Sequence, residues 1–171
     1  MLFELKKVYL DLNIEKIKTL LLNPKFWEAM VENTKRISIT KINSTTLHQE
    51  MLLEVEIDSL GVIKRDVETI QDVIFTQEGP IVYEKKNLKI QNIHVHVENS
   101  NQLSHFDGLI KIEEKPGKIR LTFTLNNIGL KNSLVELLGY TLTNRRLKRE
   151  LRKIMEKVFE YSKTNKLNIF F

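Results

Sequence analysis

The sequence predicts an α+β domain, a curved antiparallel sheet of about seven strands against which a long C-terminal helix packs. Three observations carry this reading. Between Thr34 and Asn126 apolar residues recur mostly at every second position, the period of strands with one dry and one wet face. Between Leu147 and Ser162 they recur at helical spacing, with cations largely opposite. The segments between the alternating runs are too short for crossover helices, so neighbouring strands join as hairpins.

Taken in order, Phe3 to Leu12 is rich in β-formers and reads as the first strand. Asn13 is a good N-cap for Ile14 to Leu21, and Glu15 places an acid in the first turn. Asn23-Pro24 restarts a helix, because Asn caps and Pro suits the first helical position. This second short helix carries Phe26, Trp27, Met30 and Val31. Leu47, Gln49, Met51, Leu53, Val55 and Ile57 then alternate with His48, Glu50, Glu54, Glu56 and Asp58. Turn chemistry stands at Asn43-Ser44-Thr45, Ser59-Leu60-Gly61, Glu78-Gly79-Pro80, Glu98 to Gln102 and Glu114-Lys115-Pro116-Gly117-Lys118. These divide the block into about six strands, the last holding Ile119, Leu121, Phe123 and Leu125. Ser133-Leu134-Val135-Glu136 fits a capping box, while Gly139, Thr141, Thr143 and Asn144 weaken the first part of the long helix. With no repeat and no low-complexity linker, residues 1–171 read as one domain.

Composition narrows the classes. Hydrophobic residues make up 42% and charged residues 29%, the balance of a folded chain. No cysteine is present, which excludes disulfides, thiolate nucleophiles and Cys-ligated metals. The cytoplasm is the expected location, and abundant Lys, Ile and Glu with scarce Gln fit a thermophilic source or a biased genome alike. No apolar run approaches the roughly 20 residues of a membrane span. The opening Met1-Leu2-Phe3-Glu4-Leu5-Lys6-Lys7 meets charge too early for a secretory signal. The net charge of +5 belongs to residues 131–166, where ten Lys and Arg face four Glu.

One strand, two short helices, about six hairpin-linked strands and one long helix is an order that resembles the helix-grip superfamily of START domains, pollen-allergen-like proteins and polyketide cyclases. The resemblance covers nearly the whole chain and is closest from Val8 to Lys41, where the helix pair ends in Asn23-Pro24-Lys25-Phe26-Trp27. The chain is also similar to uncharacterised helix-grip families of thermophilic archaea. It departs from the pollen-allergen group at Ile42-Asn43-Ser44-Thr45-Thr46, where that group has a glycine-rich loop. The resemblance implies a cavity between the concave sheet and the long helix, holding a lipid-like or polyketide-like molecule. A scaffold alone does not decide function.

The candidate lining of that cavity is Trp27, Met30, Met51, Leu53, Val55, Phe75, Phe123, Leu137, Tyr140, Leu151 and Met155, with an ordinary packed core as the competing expectation. In the run Val62 to Phe75 the less charged parity places Arg65, Thr69 and Gln71 inward, where Arg65 and Gln71 would orient a polar ligand end. Against that, Arg65 at the rim of the sheet would be wetted by solvent. His94 and His96 share a face that Ile93, Val95 and Val97 make the outer one, and His105 with Asp107 forms a pair lacking a nucleophile. The sequence calls for no cofactor and no metal, and it holds no phosphate loop, nucleophile elbow or HExxH. The reading is therefore a binder or carrier of a hydrophobic or amphipathic small molecule. The alternatives are a cyclase/aromatase- or hydrolase-type enzyme in the same cavity, or a membrane-surface or protein adaptor module using the basic helix from Arg145 to Lys157 and the Phe-rich tail. That helix lacks nucleic-acid motifs, so no specific nucleic acid is expected. The tail Leu167-Asn168-Ile169-Phe170-Phe171 has three destinations: against the protein, across the cavity mouth, or into a homodimer contact.

Overall fold

Asn13 and Asn23 cap their helices as their chemistry dictates. The Asn13 side chain accepts from the Lys16 amide and opens α1 (Ile14–Leu21), and the Asn23 side chain accepts from the Lys25 amide and opens α2 (Pro24–Met30). The structure, a computed structural model, describes residues 1–58, 62–132 and 140–171, with side chains outside 56–63 and 133–143. The strands are β1 (Phe3–Leu10), β2 (Thr34–Lys41), β3 (Thr46–Asp58), β4 (Val62–Tyr83), β5 (Leu88–Glu98), β6 (Leu103–Lys115) and β7 (Lys118–Leu130). They form one curved antiparallel sheet in the order β1-β7-β6-β5-β4-β3-β2. The helix α3 (Tyr140–Lys163) and a 3₁₀ turn (Lys166–Phe170) complete the described chain.

The alternation read from the sequence sets which face is dry. Phe3, Leu5 and Tyr9 of β1, Ile119, Phe123 and Leu125 of β7, Ile110 and Ile112 of β6, and Ile93 and Val95 of β5 are all buried on the concave side. The two short helices and α3 cover them. Tyr9 fixes the C-terminal half of α3 to β1: it is buried, its hydroxyl donates to the Met155 carbonyl at 3.0 Å, and its ring lies 6.2 Å from Phe159. Beside it the Lys7 ammonium meets both oxygens of Glu156 at 2.9 and 2.8 Å, and Lys157 donates to the Ala29 carbonyl at 2.8 Å, binding α3 to the end of α2.

One turn is not where the sequence placed it. Glu78-Gly79-Pro80 lies inside β4 as a shift of register against β5, and the reversal comes later, at Glu84–Lys86 with Asn87 in the left-handed region at φ +46°. Proline has no amide to donate, and a strand absorbs that at a bulge as readily as at a turn. The turns at Asn43-Ser44-Thr45, Glu98 to Gln102 and Lys115 to Lys118 stand as expected, and in the last Gly117 takes φ +74°. The Ser59-Leu60-Gly61 turn, the capping box at Ser133 to Glu136, and Gly139 lie outside the described residues.

Candidate functional site

The concave face is packed unevenly along its length. Toward the end where β1 finishes, Tyr9, Leu20, Met30, Ile93, Ile112 and Ile119 are each at most 1% exposed, a close-packed core. Toward the other end, Val55 and Val67 form a separate buried cluster, against which the half-buried Leu53, Leu103 and Leu130 pack. Half-buried Phe106, Leu121, Leu147 and Leu151 line the transition. The apolar side chains toward the first half of α3 are therefore only half-buried, while the second half of the helix sits on solid core.

Polar groups enter this region at three places. Gln71 of β4 donates to the Gln49 side chain across the β3–β4 pair at 3.0 Å, and the Ser100 hydroxyl lies 3.4 Å from the other end of the same Gln71 amide. Thr69, one step further along the face, is buried. Asn144 lies on the inward stripe of α3 with Leu147 and Leu151, and its side-chain oxygen is buried with no partner among the described residues. Two residues further along the helix, Arg146 donates to the Glu54 carbonyl of β3 at 3.4 Å, linking helix and sheet.

The expected lining residues divide between these zones. Trp27, Met30, Phe75 and Phe123 belong to the packed part: Met30, Phe75 and Phe123 are buried, and the Trp27 ring stacks 6.5 Å from Phe75 at 18°. The Trp27 indole donates to the Leu21 carbonyl at 2.8 Å, so its polar edge is used in folding. Met51 is buried in the middle of β3, and Leu53, Val55 and Leu151 face the looser zone. Met155 is half-buried at the anchored end of α3. Leu137 and the Tyr140 side chain lie outside the described residues. Arg65 stands opposite the buried Val55, on the concave side of the sheet. It shares the parity of Val67 but is exposed near the start of β4, because a guanidinium without an internal partner stays in water. Leu103, Leu130 and Phe106 carry no site signal in the sequence, and Asn144 reads there only as a weak helix former. Leu103 and Leu130 stand opposite each other across the β6–β7 pair, each at a strand end where no alternating run announces a face.

Two open clefts stand out among the described residues, with volumes of about 430 and 450 Å³. One lies between α1 and Lys41 and Gln77, and the other at the tip of the sheet. Neither is lined by a residue of α3 or by any expected lining residue.

The convex side carries a hydrogen-bonded cluster that the sequence reading did not pick out. His48 Nδ1 is 2.7 Å from Asp72, its Nε2 is 3.1 Å from Glu50, and Asn99 donates to the second Asp72 oxygen at 2.7 Å. The bond to Asp72, then that to Glu50, pushes the His48 imidazole above its ordinary value. Asn99, then His48, holds the Asp72 carboxyl below its own. A raised imidazole stabilises the fold below its unfolded value and stops doing so as pH rises through the raised one; a lowered carboxyl stops contributing as pH falls through its lowered value. The stability gap between wild type and His48→Gln is therefore expected to be widest in mildly acidic solution and to shrink toward alkaline pH. Urea unfolding at several pH values measures it, and a gap that grows with pH would contradict the assignment. Both partners meet solvent, so the effect is small. His94 and His96 stack on the same side at 6.4 Å, and among the described residues no three ligating side chains converge on a metal position.

Comparison with solved structures places this architecture. A protein of Thermus thermophilus superposes with a TM-score of 0.55 at 10% identity, covering 93% of this chain and 97% of that one. A START superfamily protein of Mycobacterium smegmatis superposes at 0.51 and 14%, covering 92% and 97%. The fold is the helix grip. No protein-family model matches the chain, and no curated protein matches its sequence. At these identities a helix grip is shared as a scaffold, and the chemistry has to be argued from the residues. Among the described residues of this helix grip no helix is long and apolar enough to cross a membrane.

Proposed function

We propose that the chain binds and carries a hydrophobic or amphipathic small molecule between the concave sheet and the first half of α3. The observation that carries this is the pairing of a half-buried apolar zone (Leu53, Leu103, Leu130, Leu151) with a buried, unpartnered acceptor on Asn144. Burying apolar surface supplies affinity at about 25 cal/mol per Å², and a few fixed polar groups supply orientation. A ligand hydroxyl donating to Asn144, with its tail over Leu53 and Leu130, satisfies both. Gln71 and Ser100 offer a second polar station at the edge of the same zone. These groups are amides and hydroxyls, which bind and orient without exchanging protons near neutral pH, so carriage fits them better than acid–base catalysis.

Organic extraction of the native protein followed by mass spectrometry, with titration of a fluorescent fatty alcohol, tests the reading. Saturable binding competed by the extract is expected, and its absence would remove the proposal. Asn144→Leu separates the polar and apolar parts. Replacing an unpaired buried acceptor by a hydrocarbon of similar size is expected to stabilise the free protein by about 1 kcal/mol. The same change should weaken the alcohol about tenfold and leave a plain alkane probe unaffected.

A further inference from the structure

At the far end of the sheet from the Val55–Val67 cluster, the β4–β5 hairpin overhangs its neighbour. The first residue of β3, Thr46, pairs with Ile74, so β4 from Thr76 to Tyr83 has a strand on its β5 side alone. Three residues of this overhang, Ile81, Val82 and Tyr83, are 51, 54 and 43% exposed, and at the same end of the sheet, with three strands between, Leu10 of β1 is 62% exposed. The register brings these positions to one edge: Val82 pairs with Lys89, Lys89 with Glu114, and Leu10 with Lys118. Around them stand Lys85 and Lys86 of one turn and Lys115 and Lys118 of another, all exposed and, among the described residues, paired with no carboxylate. The 450 Å³ cleft opens at this same tip, and its lining mixes apolar Leu12, Val82 and Leu88 with the charged Glu84, Glu114 and Lys115.

We propose that this end of the sheet docks on an anionic lipid surface. Apolar side chains on projecting turns, ringed by ammonium groups on flexible stems, match a plane that is hydrocarbon beneath and phosphate above. The apolar tips enter the headgroup layer, the lysines stay at the phosphates, and each adds electrostatic attraction. An acidic peptide laid in the cleft would meet the carboxylates of Glu84 and Glu114 in its lining, whereas the lysines stand on the turns that project from it. The helix α3 holds most of the basic surplus, including the exposed Arg145 and Arg152, but among the described residues it presents no exposed large apolar side chain beside them. Its Arg149 and Lys153 pair with Glu150, and Lys157 with Glu32. The docking surface stands whether or not the concave face holds a ligand.

Cosedimentation of the full chain with vesicles decides it, using phosphatidylcholine mixed with phosphatidylglycerol against phosphatidylcholine alone, at low and high salt. Binding is expected for the anionic vesicles only, and weaker at high salt. Lys115→Ala combined with Lys118→Ala should lower the partition coefficient about thirtyfold at low salt. Val82→Ser combined with Tyr83→Ser should lower it at either salt. Arg149→Ala combined with Lys153→Ala should leave it within about twofold. No binding, equal binding to neutral vesicles, undiminished binding in the lysine variant, or loss in the α3 variant each overturns the proposal. So does a wild-type dimer in sedimentation velocity that the hairpin variant dissolves, since the overhang is then covered by a second copy. Both lysine side chains lie in solvent, so circular dichroism should show the lysine variant folded. That variant is decisive even where the Val82/Tyr83 pair disturbs the hairpin.

Discussion

Replacing Tyr9 by alanine is expected to cost about 3–5 kcal/mol of folding stability and to loosen α3 from the sheet. Tyr9 is 1% exposed, packs against Phe159 of the helix, and donates to the Met155 carbonyl. Removing the ring leaves a cavity between the two layers and removes a cross-layer hydrogen bond at once. Tyr9→Phe keeps the ring and deletes the hydroxyl, for about 1 kcal/mol. Urea denaturation measures both, and hydrogen exchange of the amides from Leu151 to Phe159 should quicken in the alanine variant well before global unfolding. Near-equal losses in the two variants would mean that the hydroxyl and not the ring carries the anchor. The phenol has its own signature. Burial, aided by the Glu156 charge, pushes it above the ordinary tyrosine value, so the folded state holds its proton more tightly than the unfolded state. Stability from this group is complete below about pH 10 and declines as pH climbs beyond it, a decline that Tyr9→Phe should remove.

Deleting residues 166–171 is expected to destabilise the chain by a similar amount, about 3–5 kcal/mol. The 3₁₀ turn buries Leu167 and Phe170, at 2 and 7% exposure, and sets the Phe170 ring edge-on to Phe26 at 5.8 Å. The Asn23 side chain, whose oxygen caps α2, uses its nitrogen to donate to the Phe170 carbonyl at 2.9 Å. The tail thus completes the packing of α2, while Ile169 and Phe171 face outward, the latter beneath the Lys16 ammonium at 5.6 Å. Thermal unfolding of the deletion against Ile169→Ala separates the parts. The deletion should lower the midpoint by many degrees, and the exposed isoleucine should leave it nearly unchanged. A deletion as stable as wild type would show the tail to be ornamental.

Period and punctuation made the strands and the capped helices legible, because alternation and Asn caps are local signals that tertiary packing had no reason to override. The reversal after β4 was not legible. Glu78-Gly79-Pro80 has the chemistry of a turn, and only the long continuous pairing with β5 turns it into a bulge. Arg65 illustrates the limit of parity: alternation states which way a side chain points, but not whether the sheet still has cover at that row. The division of the concave face into a packed and a half-buried zone is invisible in sequence for the same reason. Phe75 and Leu53 are equally apolar and both alternate inward, yet one is buried and the other only half-buried. Asn144 read as a weak spot in a helix, and its inward position emerges once the stripe through Leu147 and Leu151 is fixed against the sheet.

The pairing of β1 with β7, Phe3 opposite Leu125, also sets a timetable for folding. On the ribosome β1, α1 and α2 emerge early, yet the strand that flanks β1 and the helix that covers Tyr9 come last. Trp27 of α2 can find Phe75 of β4 meanwhile, but the apolar side of β1 waits for β7 and for the helix that covers Tyr9. Such long-range closure makes for slow folding relative to a helical bundle, and it leaves the amino-terminal segment as the stretch most in need of a chaperone while synthesis is under way.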